Sequence, residues 1–179
     1  MHERRTSPLE CRAASGAARR LEGYAALFGT VANLGDFSET IAPGAFRASL
    51  ATERDILALV DHNPSHVLGR SRSGTLRLSE DARGLAFSLD LPDTQAARDV
   101  LALAERGDLG GMSFGFDVPS GGDEWRGATR TLRGVTLHEI SVVQSWPAYP
   151  QTTVDVRARA TQRFPRRERA RLYLETMRG

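Results

Sequence analysis

The chain has 179 residues, 40% of them apolar, and a net charge of +2; that suits one domain with a proper core and hardly two. Its single cysteine, Cys11, excludes an internal disulfide. No apolar run approaches the roughly 18 residues of a membrane helix, and the opening MHERRTSPLECRAASGAARR lacks the apolar stretch of a secretory signal, so no membrane association is expected.

Residues 1–20 carry five Arg against two Glu, which marks a basic flexible leader. From Leu21 the pattern turns apolar, and LEGYAALFG reads as a first strand ending at Gly29. Asn33 to Phe46 reads as a loop, with Pro43 opening a short helix over AFRASLATE. Asp55 to Val60 is an apolar run of strand length that delivers the chain to Asp61-His62-Asn63-Pro64. A short strand at Val67 to Gly69, a strand around Gly74 to Leu78, a turn at SEDARG and the alternating GLAFSLDL make a hairpin with one buried face. Thr94 to Arg106 reads as a helix stopped by Gly107, then come a strand through Ser113, an arginine-rich ribbon over 124–134, and a final strand from Val135 to Val143.

Residues 157–179 form a basic tail of eight Arg against two Glu, with a helix possible over 166–177. The body, 21–156, then holds 11 Arg against 18 acids, an acidic domain between basic ends. No zinc finger, RNA-binding signature or aromatic-basic interleaving accompanies the tails, so nucleic acid is not the expected ligand. Roughly six or seven short strands with few helices predict a mainly β, α+β domain, arranged as a closed or nearly closed barrel with helices around it.

Gly111-Met112-Ser113-Phe114-Gly115 matches G-x-S-x-G, but the nucleophile elbow needs a strand before the serine and a helix after it. Here a helix precedes and a strand follows, so the match carries no weight. His62 and His66 are four apart, yet Pro64 between them prevents the helix that would align them on a metal. In the last strand, period two sets Leu137, Glu139, Ser141 and Val143 on one face and His138, Ile140 and Val142 on the other. Glu139 either faces water or, if buried, requires a partner.

Together, His62 after an apolar strand, GDLGGMSFGF, and LHEISVVQSWPAYPQT resemble the prohead maturation proteases of tailed phages, distant relatives of the herpesvirus assemblin proteases. GYAALFG, FSETIAPGAF, HNPSHVLGRSRSGTLRL and GLAFSLDLPDT extend the likeness over about residues 23–156. Many members end the last motif with Pro-Ala-Asn where this chain has Pro147-Ala148-Tyr149. The resemblance implies a herpesvirus-protease-like fold and a serine endopeptidase that trims scaffold and major capsid proteins inside an assembling procapsid in the bacterial cytoplasm. It assigns Ser113 as nucleophile, His62 as base and Glu139 as the third member, with His138 the competing assignment. It implies no cofactor and no metal, and by analogy a homodimer. A non-catalytic assembly factor that binds scaffold or capsid through its tails is the alternative.

Overall fold

The computed structural model describes residues 2–8, 10–13 and 19–144. The basic tail, its expected helix and the Pro147–Tyr149 motif lie outside these residues. The elements in chain order are β1 (His2–Pro8), β2 (Glu10–Ala13), β3 (Arg20–Leu27), β4 (Ala32–Asn33), β5 (Ser38–Ile41), α1 (Arg47–Leu50), β6 (Leu57–Val60), β7 (Asn63–Arg70), β8 (Leu76–Glu80) and β9 (Gly84–Asp90). They continue with α2 (Gln95–Arg106), β10 (Gly111–Asp117), β11 (Asp123–Arg126), β12 (Thr129–Leu132) and β13 (Thr136–Val143).

The mainly β expectation with few helices holds, but the closed barrel does not. Among the described residues the strands form three open sheets, ordered β1-β10-β13-β6-β7, β11-β12-β5-β4 and β2-β3-β9-β8. A barrel requires every strand to have two neighbours, and here β1 and β7 end the largest sheet. The two-residue β4 and four-residue β5 are too short to carry a sheet around a closed circuit. Closure is replaced by packing: Leu21, Ile41, Phe87, Phe114, Leu132 and Ile140, drawn from all three sheets, share one buried cluster.

Two segments read as irregular are strands. β5 and the second residue of β4 lie in the expected loop, and β1 and β2 lie within the expected leader. The sequence of β1, HERRTSP, carries charge where a half-buried strand shows apolar alternation, so periodicity had nothing to detect. The expected helix at AFRASLATE shrinks to α1, and Glu80 accepts from the amides just before it, Gly44 at 2.8 Å and Phe46 at 3.0 Å. The helix α2 forms where expected, with Thr94 Oγ1 accepting from the Ala97 amide and Gly107 closing it at φ 75°.

Candidate active site

β10 and β13 are the two inner strands beneath the site, paired antiparallel with Ser113 opposite Ser141 and Gly115 opposite Glu139. Alternation sends Phe114 and Ile140 into the core, both fully buried, and turns Ser113, Glu139 and Ser141 to the other face. The Asp61-His62 pair is the tip of the β6–β7 hairpin, with Val60 paired to Asn63. Both tip residues have positive φ, 47° and 59°, the conformation a two-residue hairpin turn requires. The tip is pinned to β13: the Asp61 amide donates to Val142 O at 3.0 Å, and the His62 amide donates to Ser141 Oγ at 3.2 Å.

This places the imidazole on the carboxylate. His62 Nδ1 and Glu139 Oε1 are 2.6 Å apart, and Ser141 Oγ donates to Glu139 Oε2 at 2.6 Å. Glu139 is 6% exposed, so both oxygens need such partners: a buried, unpaired carboxylate costs on the order of several kcal/mol. Gly115 supplies the space. A Cβ there would collide with Glu139 Oε1 and come within 2.8 Å of His2 Nε2. The glycine thus makes room for the acid.

Ser113 is fully buried on the same face, and its hydroxyl donates to the backbone carbonyl of Arg5 in β1 at 2.8 Å. Among the described residues no hydrogen bond joins Ser113 to His62. In the ladder Ser113 opposes Ser141, the serine whose hydroxyl accepts from the His62 amide.

Strict alternation fails at His138. A register shift between Gly115 and Phe116 opposes Phe116 to Leu137 and leaves His138 as the extra residue. Its Nε2 lies 2.8 Å from Asp117 Oδ2 and its ring centroid 5.2 Å from that of His2. His62 Nδ1 therefore meets Glu139, while His138 meets Asp117. The donor atoms of His2, Asp117 and His138 all lie within 4.8 Å of one another, a group that could hold a metal ion; sequence spacing raises only His62 and His66 for a metal, and Pro64 between them sets that pair aside.

Beside Ser113, on the core side of β1, lies an ion-pair network. Arg5 donates to Glu39 through Nε at 2.5 Å and Nη2 at 2.8 Å, and to Glu3 at 2.6 Å. Arg130 reaches Glu3 at 2.7 Å, Glu39 at 3.1 Å and Asp123 at 2.8 Å. Burial works to raise the Glu3 carboxyl, but Arg130 and Arg5 outweigh it and hold the group below its ordinary value. Burial likewise works to lower Arg130, and Glu3 and Asp123 outweigh it. Ser141, Glu39 and Arg5 escape sequence reasoning as site residues; only Ser141, two positions from Glu139 on the same strand face, left a signal.

A family model described as caudovirus prohead serine protease matches residues 7–167. Over 135 residues the chain is 31% identical to the prohead protease of Enterobacteria phage HK97, an overlap covering 74% of this chain and 57% of that protein. The chain thus spans little more than half the length of that relative. No solved structure matches it.

Proposed function

We propose, from the premise that this chain belongs to the caudovirus prohead serine protease family, that it is a serine endopeptidase cutting scaffold and capsid proteins as the procapsid of a tailed phage or phage-like particle matures. The observation that carries this reading is the 2.6 Å contact between His62 Nδ1 and Glu139 Oε1 on the strand face that also bears Ser113. Glu139 fixes the tautomer that leaves Nε2 free to take a proton and stabilises the imidazolium that results. His62 takes the Ser113 proton as the oxygen attacks a peptide carbonyl and returns it to the leaving amine. Ser141 positions both partners, through Glu139 Oε2 and the His62 amide.

The same reading places the work inside the procapsid in the host cytoplasm, with residues 21–156 as the protease domain and β1 docked on it. Among the described residues no helix is long and apolar enough to cross a membrane. The distant relation to herpesvirus assemblin proteases, and the homodimer it suggests, belong to this proposal. The assembly-factor alternative draws on one observation, the Ser113 hydroxyl engaged with Arg5.

Co-expression with the capsid protein from the same source decides between them. The active chain is expected to shorten that protein on a gel, and Ser113→Ala to abolish the shortening with an unchanged circular dichroism spectrum. Processing that persists in Ser113→Ala removes Ser113 from the mechanism.

A further inference from the structure

Among the described residues the strand β1 ends its sheet, with β10 as its one neighbour there. Seven residue pairs join the two antiparallel, from His2 opposite Asp117 to Pro8 opposite Gly111. An extended peptide added to the edge of a sheet is held by its backbone and selected by the pockets under its alternate side chains. In this arrangement the carbonyl that receives the Ser113 hydroxyl belongs to Arg5, at 2.8 Å. The Arg5 side chain leaves on the opposite face, beside Phe114, its partner in the ladder.

That side chain is 9% exposed and enters a pocket built by other strands. Glu39 of β5 grips it with both oxygens, and the guanidinium carbon lies 5.4 Å from the centroid of the Phe116 ring. A planar guanidinium fits such a fork better than a point-charge ammonium. Without β1, the pocket keeps Glu39, Asp123 and Arg130, two acids against one base. β1 brings one charge of each sign, Arg5 to Glu39 and Glu3 to Arg130, so each base it meets or supplies gains an acid partner. Glu3, two residues before Arg5 on the same strand face, caps Arg130 through both carboxylate oxygens at 2.7 and 3.0 Å.

We infer that β1 occupies the place of the substrate strand, and that the Glu39 pocket selects an arginine at the residue whose carbonyl faces Ser113, favoured by an acidic residue two positions before it. Glu39 is then the specificity residue. The inference rests on Ser113 being the nucleophile. With a substrate in place of β1, Ser113 Oγ adds to the arginine carbonyl carbon while its proton passes to His62. The C–N bond breaks as that proton moves to the departing amine, and water, losing a proton to His62, then releases the acid and restores the Ser113 hydroxyl.

The test uses the full chain, a fluorophosphonate that labels activated serines, and quenched peptides of sequence HERRTSP carrying Arg, Lys, Gln or Glu at the fourth position. The expected outcome is labelling at Ser113, cleavage after the fourth residue, and kcat/KM about tenfold or more higher for Arg than for Gln, with Glu lower still, because an unmatched buried acid penalises the wrong side chain. Glu39→Gln is expected to erase most of that preference, and Arg5→Gln, which weakens the hold of β1, to label faster than the unaltered chain. Labelling at Ser113 with no preference for Arg over Gln overturns the inference and leaves the nucleophile standing. Neither labelling nor Ser113-dependent cleavage in any variant overturns the nucleophile and the inference with it. The peptide series on the unaltered chain decides even where Glu39→Gln fails to fold.

Discussion

The two sides of the candidate site are built differently. On one side His62, Glu139 and Ser141 come from a hairpin tip and an inner strand, and the hydrogen bonds among them join the β6–β7 tip to β13. On the other, the Ser113 hydroxyl is engaged by β1, a strand at the sheet edge whose Glu3 and Arg5 side chains are held by ion pairs. Hydrophobic burial is non-directional and deep, whereas an edge strand anchored by charge can be exchanged for another strand of matching charge. In the proposed mechanism His62 and Glu139 are thus prepared before any substrate arrives, while the Ser113 side is where a substrate strand would compete with β1.

The largest expected effect comes from breaking the fixed side alone. Glu139→Gln keeps the shape but replaces the carboxylate on His62 Nδ1, and cleavage of the capsid protein is expected to slow by about 10³- to 10⁴-fold with little change in fold. A loss under tenfold in single-turnover assays removes Glu139 from the proposed role.

A smaller effect is expected from Gly115→Ala, which probes how tightly that side is packed. The added Cβ meets Glu139 Oε1, so the carboxylate must shift away from His62. Overpacking of this kind costs about 1–3 kcal/mol, seen as a lower melting temperature, and the rate is expected to fall about 10- to 100-fold because a displacement near 1 Å is costly to catalysis. Unchanged rate and stability mean the acid has room that the geometry denies it.

The mildest test acts on the edge strand through pH. Glu3 is held below its ordinary value of 4.5 by Arg130 and Arg5 against the effect of burial. A lowered carboxyl binds its proton more weakly when folded, so its contribution is complete above that ordinary value and is lost as pH falls through the lowered one. Hydrogen exchange over residues 2–8, corrected for intrinsic rates, is therefore expected to lose protection as pH falls below about 4.5, before residues 136–143 do. Glu3→Gln is expected to remove most of that difference; simultaneous loss in both strands means β1 is as firmly held as β13.

Apolar periodicity made much of the frame legible in advance. The β8–β9 hairpin, the capped helix α2, the strand through Ser113 and the run from Val135 to Val143 all announce themselves by alternation or capping residues, because these segments bury one face against the core. β1, β4 and β5 do not, since they are short or charged and are defined by partners far away in the chain. Within the site, His62 was legible as a histidine where a buried strand ends, and Glu139 as a carboxylate in an apolar strand that needs a partner.

Sequence alone thus determined the class of the domain, the residues that stand out as chemical, and the family resemblance, because each is carried by local pattern or by motifs in order. Only the tertiary structure decided that the strands form three open sheets, that His62 meets Glu139 while His138 meets Asp117, that Ser141 braces them, and that Arg5 lies across Ser113 with its side chain on Glu39. Each of those depends on strand pairing between distant segments, and the split between Glu139 and His138 on a register shift between Gly115 and Phe116. A one-residue slip there would reverse which side chains share a face.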